Sequence, residues 1–359
     1  MNRIESAFFN ALQHAIAGKP LSRELFTVLG AEEWSALQKL SRSQGVLAIV
    51  FDALKDVYAI IPPQVRLQWA FGAMQIEERY DKQWHWANEL CEEYGKHGIK
   101  TVVLKGFALS RYYPNPKHRE CGDFDCYLLG AFEQGNSVAE QLGANVRFDD
   151  YKHSHISYKG LMIENHKFCT SVRGPKVNKQ FEIFLRELLA KDGVEQLVDS
   201  AIYSPSSTFN ALFLIKHTMV HFLYEGIKMR HLLDWTCLVK AEGESIDWTI
   251  VDGWCKRLHL NNFVDLMNAA VSRYIGLELS GAGRTFDATT VDKFMQGMLY
   301  DDTAVYNNTH ASIWHQRYAI VKNMISSRWK FSKVYKKSLI LELLKSSWYA
   351  IFEKQPKLN

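Results

Sequence analysis

Two aspartates separated by one residue lie in the segment LKGFALSRYYPNPKHRECGDFDCYLL, residues 104–129. On a β-strand, Asp123 and Asp125 would present their carboxylates on the same face, because strand side chains alternate. Two adjacent carboxylates are unfavourable unless a positive charge lies between them. Mg²⁺ prefers oxygen ligands and is often held by one or two carboxylates together with substrate phosphates. The spacing therefore predicts a metal–phosphate site.

The segment LMIENHKF, residues 161–168, offers a third carboxylate. If this segment is also a strand, Glu164 and His166 share one face. Glu164 is the only acid between Tyr151 and Phe181. The surrounding bases predict a positive field that suits a triphosphate: Lys152, His153, His155, Lys159, His166, Lys167, Arg173, Lys176 and Lys179.

Two aspartates separated by one residue also occur without any function, in a turn, a helix cap or a solvated edge strand. Here the pair follows a strand, a Lys-Gly dipeptide and a helical pattern, and a later strand supplies another acid. This context favours a site that holds divalent metal. Two metals about 4 Å apart stabilise both the entering and the leaving oxygens of phosphoryl transfer.

The periodicity of apolar residues divides the chain into three regions. Residues 1–97 follow the helical period, with a long helix from Pro63 to about Tyr94. Residues 98–195 read as an α/β core, with strands at KTVVLKG, FDCYLL, ANVRFDD and SHISYKGLMIENHKF and a hairpin turn at Lys159-Gly160. We expect an α+β protein whose small mixed sheet is flanked by helical regions at both ends. The helical period returns from about residue 178 onward. The helices predicted in and after the core cover 107–112, 131–142, 178–193, 207–226, 229–241, 246–258, 260–275, 307–325 and 333–353, and residues 196–359 form the C-terminal helical region.

Composition is that of an ordinary globular protein, with 359 residues, 47% of them hydrophobic and 23% charged. The net charge of +4 is too mild to favour nucleic acid as a partner. Six cysteines without a CxxC pair indicate scattered thiols rather than a disulfide framework or a zinc site. The N-terminal segment lacks the pattern of a signal peptide, and no apolar window is long enough to be a transmembrane segment. We expect a cytoplasmic protein.

The segment that carries the aspartates resembles the signature of a bacterial family described as uncharacterised nucleotidyltransferases, within the DNA polymerase β-like superfamily. The matching elements are Leu104-Lys105-Gly106, Tyr113-Pro114, Arg119 and Gly122-Asp123-Phe124-Asp125. A later acid two residues before a histidine matches Glu164 and His166. A helical Arg-x-x-x-Asp element matches Arg230 and Asp234.

The resemblance implies transfer of a nucleoside monophosphate from an NTP to an unknown acceptor, with Mg²⁺ as cofactor and Mn²⁺ as a substitute. Asp123, Asp125 and Glu164 would be the catalytic metal ligands. Lys105, Gly106, Arg119, Arg230 and Asp234 would bind nucleotide. Because family members often accompany surface-polysaccharide genes, the resemblance also implies a glycan-related small molecule as acceptor.

One departure from the superfamily pattern keeps alternatives open. The usual Gly-Ser turn is Gly106-Phe107 here, so the phosphates would rely on backbone N–H groups at the start of the 107–112 helix or on Lys105 and Arg119. A toxin-like enzyme that modifies tRNA or protein is a second hypothesis. An inactive nucleotide-binding scaffold is a third.

Other side chains have both a structural and a functional interpretation. His217 and His221 have the i,i+4 spacing of a metal pair, but no ligand motif surrounds them, which favours a structural or substrate contact. Arg230 and Asp234 are either a helical ion pair or part of the site. The basic, aromatic tail from Ser326 to Lys354 favours a helix docked on the body over one that binds a membrane or nucleic acid.

Overall fold

The structure is a computed structural model that describes residues 1–148, 151–280, 286–300 and 313–344. Its N-terminal region is helical, as predicted. Pro63 opens the 34-residue helix α5, which is about 50 Å long. The helices of this region are α1 (Arg3–Ala17), α2 (Arg23–Thr27), α3 (Ala31–Ser43), α4 (Leu47–Ala53) and α5 (Pro63–Lys96), with a 3₁₀ turn at Lys55–Ile60.

A mixed sheet follows. In the described residues it has seven strands in the order β3-β4-β5-β2-β1-β7-β6. They are β1 (Thr101–Val103), β2 (Phe124–Tyr127), β3 (Asn145–Arg147), β4 (His153–Tyr158), β5 (Leu161–His166), β6 (Val194–Gln196) and β7 (Ile202–Pro205). Strand β2 runs parallel to β5 and antiparallel to β1. The mixed α+β architecture with helices at both ends confirms the predicted fold class.

Two short helices connect the strands of the predicted core. Helix α6 (Phe107–Ser110) follows β1, and α7 (Phe132–Gln141) follows β2. The predicted hairpin turn is present, because Tyr158 pairs with Leu161 and leaves Lys159-Gly160 as a two-residue loop. Both loop residues have positive φ, 49° and 82°, which matches the twist of the flanking strands.

The two faces of the sheet belong to different apolar cores. Phe124, Cys126 and Ile163 pack with residues of α7 and of the second half of α5, such as Leu90. On the opposite face, Tyr127 joins the large core of the N-terminal and C-terminal helices. By the alternation of strand side chains, Asp123, Asp125 and Glu164 lie on this second face.

Strands β6 and β7 were not predicted, because the sequence follows the helical period from about residue 178 onward. Val194–Gln196 is short and polar, so its strand state depends on pairing with β7, and β7 in turn pairs in parallel with β1. The sheet therefore continues beyond residue 195, the expected end of the core.

The helices that follow β5 form where they were predicted, and α13 is the one that was not predicted. They are α8 (Lys176–Asp192), α9 (Ser207–Tyr224), α10 (Met229–Glu242), α11 (Trp248–Leu258), α12 (Asn261–Ala270) with a π-helical turn at Val271–Ile275, α13 (Ala288–Tyr300) and α14 (Ile313–Ser326). Residues 307–312 of the predicted 307–325 helix lie outside the described residues.

The start of the basic, aromatic tail docks on the body. Phe331 and Val334 are buried, and the ring centroids of Trp329 and Phe222 lie 5.8 Å apart. The predicted continuous helix over 333–353 was wrong, because Lys336 has positive φ and residues 336–338 are not helical. Residues 330–335 form a π-helical turn, 339–344 are helical, and 345–353 lie outside the described residues.

Candidate active site

The pairing of β2 with β5 brings the two key acids together. Asp125 is the direct cross-strand partner of Glu164, and Tyr127 is the partner of His166. Asp123 precedes Asp125 by two residues and lies on the same face. Three carboxylates that are up to 41 positions apart in the chain are therefore placed at one end of the central strands.

Asp125 is the buried member of this group. Its Oδ1 atom lies 3.1 Å from His166 Nε2, and its Oδ2 atom lies 3.0 Å from the ammonium of Lys105. Burial opposes ionisation, but Lys105 and His166 outweigh it and hold the pKa of Asp125 well below its usual range. The carboxylate is thus kept charged inside the protein.

Asp123 and Glu164 are more accessible. Asp123 is exposed, and its pKa is raised by partial burial and by the charges of Glu164 and Asp125. Burial would also raise the pKa of Glu164, yet the hydrogen bond with His166 and the neighbouring His153 lower it. The mutual repulsion of these acids is the electrostatic condition that a bound cation relieves.

The histidines of β4 and β5 are the immediate neighbours of Glu164. His155 is its cross-strand partner on β4, and His153 pairs with His166. From the sequence, these three imidazoles were expected only to contribute to a positive field. Burial instead lowers the pKa of His153 to about 4, so this imidazole is neutral near pH 7.

Two of the lysines expected to build the positive field are engaged elsewhere. Lys159 pairs with Glu89 at 2.5 Å, and Lys167 pairs with Glu133 at 2.9 Å. Lys105 is the lysine that reaches the carboxylates. The preceding residue, Leu104, donates its backbone N–H to the Asp125 carbonyl oxygen at 3.0 Å, and this hydrogen bond brings the backbone of Lys105 close to Asp125.

The turn after Lys105 requires glycine. Gly106 has φ 56° and ψ −112°, a conformation that residues with a side chain rarely adopt. The helix expected at 107–112 is only the four-residue α6, and its amides at Ala108, Leu109 and Ser110 donate to backbone carbonyl oxygens. These three amides are thus engaged within the protein, and phosphate binding by the start of this helix or by Lys105 stays a prediction.

Arg119 and Asp234 form a buried bidentate ion pair. Both nitrogen–oxygen distances are 2.8 Å, and the Tyr113 hydroxyl donates to Asp234 Oδ1 at 2.6 Å. Asp234 is thus engaged by Arg119, whereas Arg230 donates from Nη1 to the Glu120 carbonyl oxygen at 2.7 Å. This arrangement anchors the segment before β2 on α10, and nucleotide binding by Arg119, Arg230 and Asp234 stays a prediction.

The histidine pair of α9 lies near the carboxylates without joining them. The side chain of His217 is half-buried, and desolvation together with the charge of Lys105 holds its pKa well below the usual range, although Asp125 opposes the shift. His221 Nδ1 lies 2.6 Å from Glu225 Oε2. Among the described residues, the groups whose ligand atoms lie within 4.8 Å of one another contain neither histidine.

Several residues near the site were assigned no role from the sequence. His231 stacks on His221 at 5.7 Å, and Tyr113 holds Asp234. Glu182 accepts from the amides of Cys169 and Thr170 at 3.0 and 2.8 Å, which fixes the chain just after β5. Glu182 occupies an apolar position in the helical period of α8, and this is the sequence signal that could have indicated a buried, structural role.

A mixed sheet that pairs carboxylates across neighbouring strands beside a Lys-Gly turn is the architecture expected of a nucleotidyltransferase. The family model described as "uncharacterised nucleotidyltransferase" matches residues 30–276, more than two thirds of the chain. The chain belongs to this family, and the protein is therefore a nucleotidyltransferase enzyme. The match includes every predicted site residue from Lys105 to Asp234.

No curated protein and no solved structure matches the chain. In the part of the chain that the structure describes, no helix has both the length and the apolar character needed to cross a membrane.

Proposed function

We propose that the protein transfers a nucleoside monophosphate from an NTP to the hydroxyl group of an acceptor, in a reaction that depends on Mg²⁺ or Mn²⁺. The observation that carries the proposal is the cross-strand pairing of Asp125 with Glu164, with Asp123 two residues away. It supplies three carboxylates where the superfamily pattern places its metal ligands.

The donor atoms suit a hard divalent cation. Oδ2 of Asp125 is buried and has an ion-pair contact with Lys105, but it accepts no aligned hydrogen bond from the described residues. Asp123, Asp125 and Glu164 would hold the cation. When bound, the metal would neutralise charge on the triphosphate and on the departing pyrophosphate.

The protein's own side chains supply the other parts of the reaction. Glu164 is 22% exposed at its side chain, so it is accessible either to a second metal or, as a general base in place of metal binding, to the proton of the acceptor hydroxyl. Lys105 is 27% exposed, and once a cation takes its place on Asp125 its ammonium is free to contact a phosphate oxygen. Gly106 sets the backbone direction that aims Lys105 at the carboxylates.

The first test is thermal melting with ATP, GTP, CTP and UTP, each with and without Mg²⁺. A nucleotide at 100 times its Kd adds about 2.7 kcal/mol of stability. We expect a Mg²⁺-dependent shift with at least one NTP in the wild type and no shift in Asp123→Ala or Asp125→Ala. Asp252→Ala, at an exposed acid paired with Lys256, is the matched control and should keep the shift.

The second test follows the label of an α-³²P NTP into total tRNA, protein and small-molecule fractions of a cell extract. Label in a small anionic or glycan-related product supports the proposed acceptor class, and label in tRNA or protein supports the toxin-like alternative. A wild-type rate of transfer in Asp123→Ala would overturn the assignment of the catalytic carboxylates.

A further inference from the structure

A cluster of imidazoles lies beside the proposed carboxylate site. The hairpin of β4 and β5 places His153, His155 and His166 on the face that carries Glu164, in the pairs His155–Glu164 and His153–His166. The ring centroids of His153 and His155 are 4.7 Å apart. A site built only for Mg²⁺ has no need of nitrogen ligands, because that ion takes oxygen.

The two oxygens of Glu164 face different partners. Oε1 lies 3.7 Å from His153 Nε2 and 3.8 Å from His155 Nε2. Oε2 lies 3.4 Å from His166 Nε2, which is itself 3.1 Å from Asp125 Oδ1. One carboxylate thus touches two separate groups of potential ligand atoms.

These separations suit a small transition metal. Ligand atoms at 2.0–2.1 Å around a tetrahedral ion are about 3.3–3.4 Å apart. The distances of His153 and His155 to Oε1, 3.7 and 3.8 Å, are slightly longer than that value, and those of His166 to Asp125 and Oε2, 3.1 and 3.4 Å, lie close to it. Within each of the two groups, the ligand atoms all lie within 4.8 Å of one another. Only small movements of the side chains are needed to close either group on an ion.

The orientation of His166 gives independent support. Its Nδ1 atom is 3.2 Å from the carbonyl oxygen of Phe168, which can only accept, so Nδ1 carries the proton. Nε2 is then the nitrogen that faces Asp125 and Glu164, and it is available to a metal ion whenever it carries no proton. A histidine whose other nitrogen donates to a backbone carbonyl is the usual form of a metal ligand.

The fold holds His153 beside the other two rings. Its side chain is 14% exposed, and its ring centroid lies 5.2 Å from that of His166. His166 is 1% exposed at its side chain, and Glu182 fixes the backbone three and four residues after it. The cluster is therefore held in place by the fold.

We infer that Glu164 bridges two metal positions and that the position formed by His153, His155 and Oε1 takes a transition metal such as Zn²⁺ or Co²⁺ in preference to Mg²⁺. The other position, formed by Oε2, Asp125 and His166, is the one next to Asp123. The inference rests on the proposed function only in using Asp125 and Glu164 as metal ligands. Imidazole nitrogen suits Zn²⁺ and Co²⁺, whereas Mg²⁺ remains with oxygen.

The first experiment measures metal binding by the full chain without any nucleotide. Protein stripped with a chelator is titrated with Co²⁺, and the visible absorption of bound Co²⁺ is followed with and without a large excess of Mg²⁺. We expect saturable binding that Mg²⁺ does not displace. His153→Gln/His155→Gln should weaken it by more than about 100-fold, since loss of an outer-shell partner alone costs up to about that factor.

The single variant His155→Gln keeps the test valid if the double variant fails to fold, because His155 is 29% exposed at its side chain. His97→Gln, at an exposed histidine on the far end of α5, is the control and should bind as the wild type does. Folding of each variant is checked by circular dichroism. The inference is overturned if the wild type and folded His155→Gln bind Co²⁺ equally, or if Mg²⁺ displaces Co²⁺ at comparable concentration.

The outcomes separate this inference from the proposed function. Histidine-dependent Co²⁺ binding with no nucleotide-induced melting shift would support the metal position and contradict nucleotidyl transfer at this site. A Mg²⁺-dependent nucleotide shift, together with Co²⁺ affinity unchanged in the histidine variants, would support the proposed function and overturn the inference.

Discussion

Lys105 and Asp125 form an ion pair in which the ammonium lies 3.0 Å from Oδ2 of a carboxylate that is 2% exposed. Lys105 follows β1 directly, and Asp125 lies on the neighbouring strand β2. The lysine neutralises the buried acid, and a cation that binds Oδ2 has to displace it. Under the proposed function, Lys105 would exchange its contact with the carboxylate for one with a phosphate.

The first prediction concerns this competition. Lys105→Met should tighten Mg²⁺ binding severalfold in the absence of nucleotide, because an ion pair of about 1 kcal/mol no longer competes. The same variant should raise KM for the NTP, since the phosphate contact is lost. Calorimetric titration with Mg²⁺ and initial rates test the two effects. Lys39→Met, at an exposed lysine, is the control; equal Mg²⁺ affinity in both variants would contradict the competition.

The second prediction concerns the pair of Arg119 and Asp234. Asp234→Asn leaves a buried guanidinium uncompensated and should lower the free energy of unfolding by about 3–5 kcal/mol. Arg119→Met/Asp234→Leu should recover most of the loss, because neither charge then remains buried. Urea unfolding measures both. A stable Asp234→Asn protein with a raised KM would favour the direct nucleotide contact instead.

The third prediction concerns the Lys-Gly turn. Gly106→Ala forces a side chain into a strained backbone conformation and should cost about 1–3 kcal/mol of stability. A Cβ atom at this position meets no atom within 4 Å, so the cost comes from the backbone alone. Activity should fall as well, because Lys105 moves with the turn.

Gly95 provides the matched control for that variant. It lies near the end of α5, and a Cβ atom there also meets nothing within 4 Å. Gly95→Ala should leave activity unchanged and raise stability by about 0.5–1 kcal/mol, because alanine is the better helix former. If denaturant unfolding ranks the two variants equally, the strain assigned to Gly106 is wrong.

The fourth prediction concerns Lys216, which lines a cavity of about 530 Å³ beside α9. Burial, aided by the charge of Lys337, lowers the pKa of Lys216 to about 8. A lysine whose pKa is lower in the folded state destabilises the fold while charged, so the penalty is full below about pH 8 and fades as pH rises toward 10.5.

Lys216→Met should therefore raise the free energy of unfolding at pH 7, by about 1–2 kcal/mol because the side chain is only partly shielded. The gain should shrink between pH 8 and pH 10, which unfolding measured at each pH would show. Lys39→Met should give no pH-dependent gain. A Lys216→Met gain that stays constant over this range would place its origin in apolar packing.

Much of the local structure follows from the sequence alone. The Lys159-Gly160 turn was predictable because a two-residue loop with positive φ favours glycine, and β4 and β5 alternate on either side of it. The common face of Asp123 and Asp125 follows from the same alternation. The long helix α5 could be predicted from the period of its apolar residues and from Pro63 at its start.

The assembly of the site was decided by tertiary structure. Glu164 faces Asp125 because β5 pairs with β2 in parallel and in one register, and a shift by one residue would have turned Glu164 to the opposite face. Asp234 pairs with Arg119, which is 115 positions away in the chain, rather than with Arg230 on its own helix. Periodicity reports which face a side chain takes within its own element, whereas the partner across that face is set by packing among distant segments.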